Sequence, residues 1–97
     1  MRNGIVLSER KPGGSAVTLD KIYYSVIGGM QDSNIKFRDL QRLLEALGFH
    51  VRIKGDHFIY FHDGMPEILN IQPIGNMAKP YQVKQIRNML VKYGMEV

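Results

Sequence analysis

The sequence predicts an α+β fold in which two helices pack on one face of a three-stranded antiparallel sheet. Three observations lead to this prediction: an amphipathic helix over 37–47, three strand-like runs between 49 and 72, and a second amphipathic helix after Pro80. The strands are joined by the short turn sequences Gly55-Asp56 and Asp63-Gly64, which are typical of hairpins. This order, helix, three strands and helix, predicts a two-layer sandwich, with one further helix preceding it.

The chain has 97 residues and is therefore expected to form one small domain. Residues 1–17 include Pro12-Gly13-Gly14-Ser15 and have no periodic apolar pattern, which predicts a flexible tail. From residue 18 the pattern changes, so we expect a single domain over 18–97.

The composition excludes several classes of protein. There is no cysteine, and therefore no disulfide framework or thiolate metal site. No signal-peptide pattern and no apolar run of membrane-spanning length occurs, so we expect a cytoplasmic protein with no membrane partner. The net charge of +4 permits a polyanionic partner without requiring one.

The first element is a short helix preceding the sandwich. Its apolar residues recur at helical spacing: Leu19, Ile22, Tyr23, Val26 and Ile27. Thr18 is a suitable N-cap, and Gly28-Gly29 is expected to end the helix. The apolar stripe is compatible with packing on the core, with a dimer contact or with a contact to a protein partner.

The helix over 37–47 and the strand that follows have the clearest patterns. The helix has one apolar stripe, and Gly48 is expected to close it in a left-handed conformation. After it, Phe49, Val51 and Ile53 alternate with His50, Arg52 and Lys54, which predicts a strand with one buried face and one basic, solvated face.

The remaining elements follow from turn residues and prolines. The second strand is predicted over 57–62. The third is predicted from Glu67 to Gln72, because Pro66 cannot donate to a strand ladder. A loop over 74–79 then leads to Pro80, which suits the first position of the last helix. On that helix Lys84 and Arg87 are expected to face water or to contact phosphate.

One histidine stands out as a candidate catalytic residue. His57 directly follows the Gly55-Asp56 turn, next to a strand that carries Arg52 and Lys54. His50 and His62 are interpreted as solvated strand or hairpin residues, and the spacing of the three histidines matches no familiar metal-ligand pattern.

From residue 34 to residue 95 the chain resembles the HicA toxins, small RNA-cleaving components of toxin–antitoxin pairs with a double-stranded-RNA-binding-domain-like fold. The resemblance lies in the order of several short motifs: FRDLQRLLEALGF over 37–49, Gly55-Asp56-His57, the third strand, Gly75-Asn76, Lys79-Pro80, and a final helix ending at Gly94. The helix over 18–29 lies outside the minimal family domain. The family commonly has serine where this chain has Asp56.

The resemblance implies a metal-independent endoribonuclease that cleaves mRNA, needs no cofactor and is neutralised by a HicB-type antitoxin. It maps the catalytic histidine onto His57. RNA supplies its own nucleophile, the 2′-hydroxyl, so the protein has to supply proton transfer and positive charge. Arg52, Lys54, Gly55 and Lys79 are the residues expected to contact RNA. Asp56 could orient the imidazole, or it could repel the phosphate.

Two further interpretations stay open at this point. The chain could be a non-catalytic RNA-binding module or a degenerate toxin that keeps the fold. It could also act only as a protein-interaction subunit.

Overall fold

A computed structural model of the protein describes residues 17–97, and it confirms the α+β class and the predicted order of elements. The helices are α1 (Leu19–Gly28), α2 (Phe37–Ala46) and α3 (Pro80–Lys92), with a 3₁₀ turn at Asp32–Asn34. The strands are β1 (His50–Lys54), β2 (His57–His62), β3 (Met65–Ile71), β4 (Pro73–Ile74) and β5 (Met77–Ala78). The predicted tail lies outside the described residues except for Val17, which packs against the core.

The helix boundaries agree with the sequence signals. The Thr18 hydroxyl accepts a hydrogen bond from the Lys21 backbone N–H at 3.2 Å, and this caps the start of α1. Gly29 ends α1 with φ 74°, and Gly48 follows α2 with φ 92°. Both glycines adopt the left-handed conformation that residues with a Cβ rarely take, as predicted for Gly48.

The main sheet has the strand order β1-β2-β3 and is antiparallel throughout. Pairs such as Lys54↔His57 and Ile59↔Asn70 define its register, which shifts between Tyr60 and His62.

Two predictions about the strands were wrong. β3 begins at Met65, two residues before the predicted Glu67. Pro66 is tolerated inside this strand because β3 is at the edge of the sheet and Pro66 falls where the register shifts, so no ladder donor is lost. The predicted loop over 74–79 contains the small β4–β5 hairpin, which pairs with the residues just before α2: Ala78 N–H donates to Ile35 O at 2.9 Å.

The core lies between the three-stranded sheet and the helices. Its largest fully buried side chains come from α2, β2, β3 and α3, namely Leu40, Leu43, Leu44, Tyr60, Leu69, Ile71, Ile86 and Leu90. Phe37 of α2 meets Phe58 of β2 edge to face, with ring centroids 5.0 Å apart. Burial of the Tyr60 phenol raises its pKa, and the neighbouring Gln41 amide offsets only part of this effect.

The helix α1 is part of this core, which confirms the first of the three roles considered for its apolar stripe. Ile22 and Val26 are buried, and α1 packs on α2 and α3. Arg87 of α3 holds it there, by donating to Val26 O at 3.0 Å and to both carboxylate oxygens of Asp32 at 2.8 and 3.1 Å. The expectation that Arg87 faces water or phosphate was wrong, because its side chain is only 18% exposed and both of its terminal nitrogens donate to α1 or Asp32.

Two further side chains depart from the predicted pattern. Ile53 was placed on the buried face of the first strand, yet it is 62% exposed because it lies near the end of an edge strand. His62 was expected to be solvated, but it is partly buried and links three segments. Its Nε2 lies 3.1 Å from Leu47 O, and its Nδ1 accepts from Gly64 N–H at 2.9 Å. An Nε2–H tautomer satisfies both bonds.

Candidate active site on the open face of the sheet

The alternation of side chains along β2 separates a buried face of the sheet from an exposed one. Phe58 and Tyr60 point toward the helices, so His57, Ile59 and Phe61 point away from them. The strand register extends this second surface, here called the outer face, across the sheet. It comprises His50, Arg52, Lys54, His57, Ile59, Phe61, Ile68 and Asn70.

His57 is placed at a corner of the outer face by the turn that precedes it. Gly55 has φ 63°, a left-handed conformation that makes a tight reversal between β1 and β2 possible. A side chain there would meet no atom within 4 Å, so the glycine is needed for its backbone conformation and not for space. The reversal pairs His57 with Lys54 across the two strands.

The two ring nitrogens of His57 have different environments. Nδ1 lies 3.0 Å from Asn70 Oδ1, a hydrogen-bonding distance, and since this oxygen can only accept, Nδ1 carries the proton in this arrangement. The neutral ring then has its lone pair on Nε2. The nearest polar groups to Nε2 are Gln72 Nε2 at 3.5 Å and Asp56 Oδ1 at 3.8 Å. The His57 side chain is 48% exposed, and the Gln72 amide lies within hydrogen-bonding reach of Nε2.

Asn70 and Gln72 are the two residues of this site that sequence reasoning missed. The alternation of β3 does assign both to one face of the strand. Nothing local shows which residue of β2 lies opposite that face, because the pairing depends on the register between the two strands.

Of the side chains predicted to contact RNA, two lie on the outer face with His57 and one lies at the start of α3. Arg52 and Lys54 lie on the outer face, and the Arg52 guanidinium lies over the Phe61 ring, 5.7 Å from its centroid. Lys79 is instead the N-cap residue of α3. One turn further on, Gln82 Oε1 accepts from Gln72 N–H at 3.3 Å, which connects the start of α3 to the end of β3. Within the described residues, no hydrogen bond joins Lys79 to His57.

Asp56 is close to the imidazole, although its side chain is 76% exposed. At 3.8 Å its carboxylate is beyond direct hydrogen-bonding distance from Nε2. It nevertheless places a carboxylate on the Nε2 side of the ring.

A cavity of about 360 Å³ lies near this corner, on the helical side of the sheet. Its walls are the first turns of α2 and the β4–β5 hairpin, including Lys36, Arg38, Gln41, Pro73 and Asn76. The Gly75-Asn76 motif therefore forms the tight turn of a hairpin and one wall of this cavity.

The other two histidines lie away from His57. His50 Nε2 is 3.5 Å from Asp63 Oδ2 at the far end of the hairpin, and His62 is held on the inner face. Within residues 17–97, no three His, Asp or Glu side chains are close enough together to hold a metal ion. In the same range, no helix has the length and apolarity needed to cross a membrane.

Apart from the small β4–β5 hairpin, the order from α2 to α3 is helix, three strands and helix, which is that of the double-stranded-RNA-binding-domain-like class of α+β folds. A family model described as the HicA toxin of bacterial toxin–antitoxin systems matches residues 37–94, more than half of the chain. The chain therefore belongs to the HicA toxin family, and α1 is an addition that precedes the matched segment. No curated protein and no solved structure matches the chain.

Proposed function

We propose that this protein is the toxin of a toxin–antitoxin pair and that it cleaves mRNA in the cytoplasm without a metal ion, with His57 as the general base. The observation that supports this proposal is the state of the His57 ring. Its Nδ1 lies 3.0 Å from Asn70 Oδ1, and the half-exposed ring shares the outer face with Lys54, its cross-strand neighbour.

The reaction follows from the chemistry of RNA. Nε2 takes the proton of the 2′-hydroxyl, the 2′-oxygen forms a bond to phosphorus, and the bond from phosphorus to the 5′-oxygen breaks. The leaving 5′-oxygen receives a proton from the imidazolium or from water, so the products carry a 2′,3′-cyclic phosphate and a 5′-hydroxyl. Proton transfer by a positioned side chain contributes typically about 10²- to 10⁴-fold in rate.

The basic neighbours have a separate role in this proposal. Lys54, paired with His57 across the strands, supplies positive charge for the phosphate and for the charge that builds up on it. Arg52 and Lys79 contribute to binding of the RNA chain, and Gly55 lets the backbone approach it. A HicB-type antitoxin would neutralise the toxin by covering the outer face and His57.

A second candidate is a non-catalytic RNA-binding protein with the same fold. The position of Asp56 favours it, because the carboxylate lies 3.8 Å from the nitrogen that has to act as base. In this case the basic surface binds RNA while the turn no longer supports cleavage.

A pair of histidine variants distinguishes these candidates. His57→Ala is expected to leave the thermal unfolding midpoint nearly unchanged and to abolish growth arrest and RNA cleavage. His62→Ala is the matched control, because this histidine lies on the inner face and its hydrogen bonds are structural. It is expected to lower the unfolding midpoint and to retain cleavage at temperatures where it is folded.

The measurements are growth after induction, with total RNA inspected for cleavage, and cleavage by purified protein in EDTA. Loss of cleavage in His57→Ala alone supports the single-histidine mechanism. Equal cleavage by wild type and His57→Ala would overturn it, and absence of cleavage by folded wild type would favour the non-catalytic candidate. Co-expression of a HicB-type antitoxin is expected to relieve the growth arrest.

A further inference from the structure

We infer that the substrate is single-stranded RNA and that it lies across the outer face of the sheet, with its bases stacked near Phe61 and Arg52 and the cleaved phosphate at His57. This inference rests on the proposed function, that the protein cleaves RNA at His57. It assigns the substrate to the face opposite the helices.

The position of His57 determines which face the reacting phosphate has to reach. Phe58, the next residue, packs on Phe37 of α2, so the His57 side chain extends from the opposite side of the sheet. Its partner Asn70 lies on the same side, from the neighbouring strand. A phosphate that contacts Nε2 therefore approaches the sheet surface and not the helical layer.

The outer face has the side chains that bind single strands. The Arg52 guanidinium and the His50 ring both lie against the Phe61 ring, at 5.7 and 5.2 Å between centres, which gives a layered surface of planar groups. Ile68, 61% exposed, extends its apolar part. Bases stack on aromatic rings and on guanidinium groups of this kind with little dependence on sequence.

The charge of this face complements a phosphate chain. Arg52 and Lys54 are exposed, and neither takes part in an ion pair within the described residues. None of the residues that define the outer face is acidic, and the carboxylates beside it, Asp56 and Asp63, belong to the flanking turns, 3.8 Å from His57 Nε2 and 3.5 Å from His50 Nε2. The one strand carboxylate on β3, Glu67, is bound instead by Lys92 and Tyr93 of α3.

The distance between Phe61 and His57 allows one RNA strand to contact both residues. Phe61 is four residues from His57 along one strand, a distance of about 13 Å. A base held at Phe61 is therefore a few nucleotides from the phosphate at His57, and one extended strand can occupy both positions.

A duplex fits this face poorly for two reasons. Its bases are paired and stacked on each other, so they cannot stack on Phe61 and Arg52. In addition, attack by the 2′-oxygen requires that oxygen, the phosphorus and the leaving 5′-oxygen to become collinear. The regular A-form backbone holds them away from that alignment, whereas an unpaired nucleotide can rotate into it.

The test measures binding of the full chain to a fully 2′-O-methylated oligonucleotide, which cannot be cleaved, by fluorescence anisotropy. The oligonucleotide is used as a single strand and as a duplex with its complement. We expect the single strand to bind at least tenfold more tightly. Phe61→Leu, which keeps an apolar side chain but removes the ring, is expected to weaken single-strand binding about 5- to 150-fold.

Charge variants locate the phosphate chain. Arg52→Gln is expected to weaken binding, and Lys54→Gln is expected to reduce the slope of log affinity against log salt by about 0.7, the value for one phosphate contact on a single strand. Arg38→Gln and Tyr81→Leu are the matched controls, because both residues are exposed and lie on helices outside the outer face. Neither is expected to change binding more than about twofold.

Three outcomes would overturn the inference. The first is equal affinity for duplex and single strand. The second is a larger effect of Arg38→Gln than of Arg52→Gln, which would assign the RNA to the helical side and its cavity. The third is loss of self-association in Phe61→Leu with unchanged RNA binding, which would assign the face to a second copy of the chain. Because the probe lacks 2′-hydroxyls, absence of cleavage would overturn the proposed function without affecting this result.

Discussion

Replacing Asn70 by alanine tests whether the orientation of the His57 ring is part of the catalytic mechanism. The Asn70 side-chain oxygen lies 3.0 Å from Nδ1 and holds the tautomer that leaves the lone pair on Nε2. Without this acceptor, the ring can rotate, and its proton can be on Nε2 instead of Nδ1. Asn70 does not contact the reacting atoms in this mechanism, so it is a positioning residue.

The size of the effect follows from one exposed hydrogen bond. A neutral hydrogen bond contributes about 0.5–1.5 kcal/mol net, and if all of it serves to orient the ring, its loss lowers kcat/KM about 2- to 12-fold. We expect most of this loss in kcat, since the phosphate contacts of the basic side chains are unchanged. The unfolding midpoint is expected to stay near that of the wild type, because Asn70 is exposed.

Asn70→Asp is the matched control for this experiment. It keeps an acceptor for Nδ1–H and is expected to restore kcat relative to Asn70→Ala, with a higher KM because it adds an anion. A carboxylate at Nδ1 also stabilises the imidazolium, so the pH–rate profile is expected to move to higher pH. Initial rates on a single-stranded RNA across a pH series measure all of these quantities. Wild-type rates and pH profile in Asn70→Ala, or no recovery in Asn70→Asp, would refute the orienting role.

Three further predictions concern stability and charge. Arg87→Ala removes the bidentate pair with Asp32 and the hydrogen bond that anchors α1. It is expected to lower the free energy of unfolding by about 1.5–3 kcal/mol, which corresponds to a fall of roughly 10 °C in Tm. An unchanged Tm would contradict this role. Hydrogen bonds from Lys92 and Tyr93 hold the pKa of the Glu67 carboxyl below its usual 4.5. The stability that these bonds give the folded protein is therefore present at neutral pH and is lost as the pH falls through the lowered pKa. The Tm difference between wild type and Glu67→Gln should therefore shrink in acid, and a constant difference from pH 7 to pH 3 would be inconsistent with this linkage. Asp56→Ser is expected to increase kcat/KM a few-fold, because it removes the repulsion between the Asp56 carboxylate and a phosphate bound beside Nε2. Two unit charges about 4 Å apart in water interact by about 1 kcal/mol. A decrease in kcat/KM would instead indicate that the carboxylate assists His57.

Much of the fold could be predicted because its signals are local. The apolar stripe of α2, the cap at Thr18 and the left-handed glycine after α2 each depend on residues within one or two turns. The error in the start of β3 occurred where pairing across the sheet overrides local preference. Pro66 was taken to exclude residues 65 and 66 from a strand, but the register shift removes the need for its missing donor.

For the candidate site too, local features could be predicted from the sequence and contacts between distant residues could not. The prominence of His57, with the basic strand before it, is visible in the order of residues along the chain. The partner of its Nδ1 is thirteen positions away, and only the register of β2 on β3 brings the two side chains together. The same holds for Arg87, whose three hydrogen bonds go to residues more than fifty positions earlier.

Helices, turns and the identity of the candidate base thus follow from the sequence, because backbone preference and apolar periodicity act over a few residues. The chemical state of that base, the burial of α1 and the open basic face follow from the tertiary structure. They depend on contacts between segments far apart in the chain, and the free energy of those contacts is set by packing and strand register.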